Sequence, residues 1–166
     1  MTPDRVAVVT VSDRCSRGEA EDRSGPLLVR LVEEAGLGGD VVTLVVPDGV
    51  ASVREALTSV LAQGARLVLT TGGTGVSPRD LTPEGTREVL EAEVPGVAEA
   101  IRSLGASAGV PTAVLSRGLA GLARAGDGRR ALVVNLPGST GGARDGAAVV
   151  LPLWPHVKAQ LDGGDH

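Results

Sequence analysis

The chain has no tyrosine and no phenylalanine, and Trp154 stands alone among the large aromatics. Successive nucleic-acid bases therefore have no aromatic platform to stack on. The net charge of −4 adds nothing to a nucleic-acid reading. Cys15 is the only cysteine, so no internal disulfide can form, which suits a reducing cytosol. The two histidines, His156 and His166, and the one lysine, Lys158, all lie near the C-terminus. A Walker-type nucleotide site needs a lysine directly after its glycine loop, and none is there. One Cys and two His cannot assemble a clustered zinc site. No apolar run approaches the roughly 20 residues that span a bilayer. The N-terminus carries no charged-then-apolar secretory pattern, so a cytoplasmic location without membrane contact is expected.

What remains for chemistry is carboxylates, arginines, hydroxyls and backbone amides, a set suited to metal-assisted work on phosphates. With 166 residues the chain is expected to form one domain over 1–166, its core running from about residue 5 to about 160.

Strand and helix patterns alternate along it. Arg5 to Val11 reads as a buried strand, followed by a polar loop from Ser12 to Gly25. Pro26 opens a helix with Leu27, Leu28, Leu31, Val32 and Ala35 on one face and Gly36 as its cap. Val41 to Val46 reads as a second strand, and Val53, Ala56, Leu57, Val60 and Leu61 mark a second helix ended by Gly64. Arg66 to Thr71 is the third strand. Such alternation predicts parallel β-α-β units. A helix is expected from Thr82-Pro83-Glu84 and another from Pro95, with Val97, Ile101 and Leu104 on its face. Thr112 to Leu115 and Ala131 to Val134 read as two further strands. The end reads as helical segments interrupted by Pro152 and Pro155, with Trp154 as a packing residue and a frayed tail from Asp162.

The richest stretch is Thr70-Thr-Gly-Gly-Thr-Gly-Val-Ser-Pro-Arg-Asp-Leu-Thr-Pro-Glu84. It lies beyond the carboxyl end of a strand, where open α/β sheets bind ligands. Gly72, Gly73 and Gly75 allow a tight turn whose amides form an anion nest. Thr71 and Thr74 add hydroxyls, Arg79 offers a phosphate contact, and Asp80 offers oxygen to magnesium. Asp48, at another strand end, reads locally as a turn aspartate, with a share in the same metal ion as the alternative. Ser12-Asp13-Arg14 follows the first strand. Ser24 and Gly25 read first as helix capping and second as anion donors. Ser116-Arg117-Gly118 and Asn135-Leu-Pro137-Gly138-Ser139 are each either ligand contacts on the same rim or structural turns. Cys15 reads as an ordinary loop residue.

Taken together, Ser12-Asp13-Arg14, Asp22 with Ser24-Gly25-Pro26, Pro47-Asp48, Thr70 to Glu84, Pro95-Gly96, Ser116-Arg117 and Asn135 to Gly138 resemble the molybdopterin-binding family of molybdenum-cofactor biosynthesis, which includes adenylyltransferases. The resemblance runs from about Val6 into the last helix, and Thr70 to Glu84 is its most specific part. It implies a three-layer α/β/α sandwich with a mostly parallel sheet, assembled as a homotrimer. It also implies a magnesium-dependent reaction of ATP with molybdopterin that releases pyrophosphate, with hand-off to a molybdenum insertase. Asp48 and Asp80 match the family's functional pair. Ser116, Arg117 and Asn135 to Gly138 match the region that holds molybdopterin. A non-catalytic pterin carrier on the same scaffold is the alternative. A flavodoxin-like mononucleotide binder is a third reading, disfavoured by the missing aromatics.

Overall fold

A computed structural model describes residues 4–37 and 39–164. Its elements are β1 (Arg5–Val11), α1 (Asp13–Ser16), α2 (Ser24–Glu34), β2 (Val41–Val46), α3 (Val50–Ala62) and β3 (Ala65–Thr71). After these come α4 (Thr82–Arg87), β4 (Ala92–Glu93), α5 (Pro95–Ser107), a 3-10 turn (Pro111–Leu115), β5 (Ala120–Arg124), β6 (Arg130–Leu136) and α6 (Thr140–Leu161). The sheet order is β2-β1-β3-β6-β5-β4. The strands β2, β1, β3 and β6 run parallel, while at one edge β5 pairs antiparallel to β6 and β4 antiparallel to β5.

Alternation along the strands divides the core into two layers. Val6 and Val8 of β1 face one side with Leu28, Val32, Ile101, Ala147, Val150 and Trp154 from α2, α5 and α6. Ala7, Val9 and Val11 face the other side with Val53, Leu57, Val60 and Leu61 of α3. The mostly parallel sheet lies between helical layers, as the alternating pattern requires. Among the described residues no helix is long and apolar enough to cross a membrane.

Several expectations are corrected. Thr112 to Leu115 is not a strand but most of the 3-10 turn, begun by Pro111. Val114 and Leu115 are exposed there, so this β-branched run never reaches the sheet. The place beside β6 belongs to Ala120–Arg124, a strand without β-branched residues that forms a hairpin with β6. The final helix is continuous through Pro152 and Pro155. Both prolines lie on its exposed side, where water can serve the carbonyls they leave unpaired, while Val150 and Trp154 anchor the other side. The loop from Ser12 contains α1, capped by the Ser12 hydroxyl, and α2 starts at Ser24 rather than Pro26. On α5 the buried face is Ala98, Ile101 and Gly105, and Leu104 is exposed.

Nor is Asp162 frayed. It accepts a 2.8 Å bond from Arg66, a wholly buried guanidinium that also donates to the Arg130 carbonyl. The tail is described as far as Gly164; Asp165 and His166 lie outside the described residues.

Candidate functional site

The chain leaves β1 toward β2 on one side and returns to β3 on the other, so the crevice beyond β1 and β3 is the sheet's switch point. The loops after β1, β2, β3 and β6 converge on this rim.

The glycine loop after β3 is held at many points. Gly72 has φ +104° and donates to the Leu136 carbonyl at 3.1 Å; a Cβ there would collide with the Val11 carbonyl oxygen. Gly73, at φ +67°, leaves no room for a Cβ beside the Thr82 hydroxyl. Thr82 in turn donates its hydroxyl to Gly72 O at 2.9 Å and its amide to Gly73 O at 3.1 Å. Thr71 donates its hydroxyl to the Pro137 carbonyl at 2.8 Å, tying this loop to the one after β6.

Arg117 clamps the same loop. Its amide donates to Thr74 O at 2.7 Å, Nε to Gly75 O at 2.9 Å and Nη2 to Asp80 O at 2.6 Å, while Nη1 pairs with Glu84. That bond and the neighbouring cation hold the Glu84 carboxyl below the usual carboxylate range. The amides of Gly73, Thr74 and Gly75, by contrast, donate to no acceptor among the described residues, and so remain available to an anion.

Asp13 and Asp48 face each other through reciprocal bonds. The Asp13 amide donates to Asp48 Oδ2 and the Asp48 amide to Asp13 Oδ1, both at 3.1 Å. Burial pushes the Asp48 carboxyl up, Asp13 and Asp80 add like charge, and the Asp13 amide and Arg79 oppose the rise. Arg79 is largely exposed and reaches Asp13 Oδ2 at 3.6 Å. Asp80 accepts from the Ser77 amide at 3.1 Å through Oδ2. Asp48 Oδ1 and Asp80 Oδ1 accept no hydrogen bond among the described residues.

Two carboxylates with open oxygens in one negative field fit a hard divalent cation. No group of three or more His, Cys, Asp or Glu is gathered as a preformed metal cluster among the described residues. Phosphate oxygens and water would therefore have to complete the coordination.

On the β1 side, Asp22 accepts from the Thr10 hydroxyl at 2.8 Å and the Gly25 amide at 3.0 Å. Gly25 packs so closely on this pair that no side chain fits. A cavity of about 360 Å³ opens here beside Ser12, Cys15, Ser24, Gly72, Gly138 and Thr140. Gly138 stands against Gly72, where an added Cβ would lie 3.1 Å from the Gly72 Cα.

Asn135 is not on the rim. It is buried, its amide donates to Thr70 and Thr86 hydroxyls at 3.0 and 2.9 Å, and its oxygen accepts from the Leu119 amide. Its side chain fixes the base of the rim, and only the backbone that follows it reaches the surface. Ser116 follows the 3-10 turn rather than a strand and lines a second cavity of about 540 Å³ with Thr74, Gly75, Arg102, Pro137 and Asp145. The sequence pattern does not single out Thr140, Arg102 or Asp145, since polar residues in or at the start of a helix read as caps or as a solvated face.

Fold and rim together define a doubly wound α/β protein with a glycine loop and carboxylates at its switch point. The chain belongs to the molybdopterin-binding family: the family described as a probable molybdopterin binding domain matches residues 7–156. A molybdenum cofactor biosynthesis bifunctional protein of Synechococcus elongatus is 40% identical over 96% of this chain, which spans 48% of that protein's length. Against several curated relatives the chain covers half their length or less. A molybdopterin adenylyltransferase of Pyrococcus furiosus is 36% identical over 92% of this chain and 88% of its own length. The crystal structure of a molybdopterin biosynthesis protein from Mycobacterium abscessus superposes with a TM-score of 0.87 at 42% identity, covering 96% of each chain.

Proposed function

We propose that this chain acts in molybdenum-cofactor biosynthesis by transferring AMP from ATP to the terminal phosphate of molybdopterin. The observation that carries the reading is the clamped glycine loop, with three amides unused, beside Asp48 and Asp80. The name of the Pyrococcus relative supports the same reaction.

In this reading a molybdopterin phosphate oxygen attacks the α-phosphorus of ATP. The new P–O bond forms as the bond to the β-phosphate oxygen breaks, and pyrophosphate leaves. The attacking oxygen is already anionic, so alignment and charge neutralisation matter more than base catalysis. The amides of Gly73, Thr74 and Gly75 cradle phosphate oxygens, and Arg79 adds positive charge at the mouth. Arg117 and Thr82 keep those amides in place. Asp48 and Asp80 would hold magnesium, which when bound supplies charge neutralisation at the nucleotide phosphates. Ser12, Asp13, Ser24, Gly25, Thr71, Gly72, Ser116, Pro137 and Gly138 shape the surrounding walls. The reading carries with it one molybdopterin-binding domain over 1–166, a cytoplasmic homotrimer and hand-off of the product to a molybdenum insertase.

The test is pyrophosphate release from ATP and magnesium, with and without molybdopterin, in wild type and Asp80→Asn. Release should require molybdopterin and fall by at least about 100-fold in the variant, the scale set by removing a group that stabilises transition-state charge. Undiminished turnover in the variant removes Asp80 from the machinery. A folded wild type that binds molybdopterin but releases nothing supports the carrier reading instead.

A further inference from the structure

The larger cavity contains chemistry that phosphate handling does not use. Its volume of about 540 Å³ is ordinary for a small-molecule site. Ile101, Gly105 and Ala108 at the α5 side and Val110 and Leu115 around the 3-10 turn give it apolar walls. Thr74 and Gly75 of the glycine loop line its edge, so an occupant touches the loop assigned to the phosphates.

Two charged residues line this cavity, and neither is in an ion pair among the described residues. Arg102 donates Nη1 to the carbonyls of Ser116 and Gly118, both at 3.2 Å, and so braces the wall. Asp145 has no hydrogen bond or salt bridge to any described residue. It follows Gly141 by four positions and Gly142 by three, so its neighbours one turn toward the N-terminus of α6 have no side chains. A Cβ at Gly141 would meet nothing within 4 Å, which shows open space there. Asp145 is half-buried, and no donor among the described residues reaches its carboxylate, which leaves both oxygens open to a ligand's N–H groups.

We infer that Asp145 is the specificity-determining residue for the pterin ring, accepting hydrogen bonds from its ring N3–H and its 2-amino group. The inference rests on the molybdopterin reading above. Those two adjacent donors match the two oxygens of a carboxylate in the same fork geometry that carboxylates use with guanidinium groups. Adenine offers a donor beside an acceptor on its pairing edge, so Asp145 selects against ATP in this cavity and leaves the nucleotide to the rest of the rim. Guanine shares the pterin edge, and experiment separates the two by ring shape.

The test is fluorescence titration of the full chain with pterin, with lumazine (oxygen replacing the 2-amino group) and guanosine as competitors. Wild type, Asp145→Asn and Asp145→Leu are compared, with thermal melts to confirm folding. Wild type should prefer pterin to lumazine by at least about 10-fold. Asp145→Leu should weaken pterin about 10- to 100-fold and erase that preference, the range expected for hydrogen bonds to a charged group. ATP affinity should not change. A preference that survives in both variants overturns the role of Asp145 while leaving the molybdopterin reading intact. Guanosine binding as tightly as pterin makes this a purine site and overturns the inference. Wild type that binds no pterin at millimolar concentration overturns the molybdopterin reading itself, and the inference with it.

Discussion

Replacing Gly72 with alanine separates two effects that glycine-rich loops usually confound. Any non-glycine residue in the left-handed region loses about 1–2 kcal/mol. Gly36, at φ +76° with nothing within 4 Å of an added Cβ, isolates that conformational effect. Gly72, at φ +104°, adds a collision with the Val11 carbonyl oxygen. That oxygen belongs to β1, which is paired on both sides, so it cannot swing away as a side chain would. Overpacking of this kind costs about 1–3 kcal/mol, so Gly72→Ala should lose about 2–5 kcal/mol in all. The unfolded chain loses the same freedom in both variants, which removes that contribution from their difference. Urea denaturation of the pair, with Tm as a second measure, should place Gly72→Ala below Gly36→Ala by about 1–3 kcal/mol, or several degrees. Gly72→Ala should also lose molybdopterin-dependent pyrophosphate release, because the strain lies in the loop that presents the amides. Equal stability and equal activity in the two variants would refute the steric argument.

Asp48→Asn should stabilise the protein at neutral pH. The folded pKa of Asp48 is raised, so its contribution to stability is present below the ordinary carboxylate value near about 4 and is lost as pH rises through the folded value. Melts from pH 4 to 8 should show the variant gaining on wild type as pH rises, while its pyrophosphate release falls; a loss of relative stability with rising pH contradicts the burial argument. Arg117→Lys should keep the fold yet lower turnover about 10- to 100-fold, since one ammonium cannot reach the Gly75 and Asp80 carbonyls and Glu84 together. Its NMR signature is the Glu84 carboxyl titrating closer to its ordinary value, and an unmoved Glu84 means the clamp is not what the variant lost.

How much of this could be read from the residues depends on which force dominated locally. The strands β1 and β3 were legible as short apolar runs buried on both faces of a parallel sheet, and the helices α2 and α3 because burial on one face imposes a period of 3.6. The strand β5 was not, because Ala-Gly-Leu-Ala-Arg has none of the bulk that marks strands, and only pairing with β6 makes it one. Gly121 is needed there because a side chain would strike the Ala92 carbonyl and Leu90. The converse error at Thr112 to Leu115 has the same root: β-branched residues favour extended backbone only where a neighbouring strand is available. Helix α6 survives two prolines because their missing donors fall on its wet side, a fact that no local rule contains.

At the rim, residue types were legible and their allegiance was not. Asn135, Arg117 and Thr71 look in sequence like ligand contacts, but nearly all the polar capacity of their side chains goes to neighbours from 16 to 66 positions away. A sequence cannot show whether a hydrogen bond is already made. The groups left over are humbler: the amides of Gly73 to Gly75, one oxygen each on Asp48 and Asp80, and the carboxylate of Asp145. This division is the one that the proposed phosphate transfer would require. Amides preorganised for a developing charge must not rearrange during the reaction, so the strongest donors nearby serve the loop rather than the substrate. The motif's polar residues are then demanded by rigidity, and the substrate meets mainly what that rigidity leaves exposed.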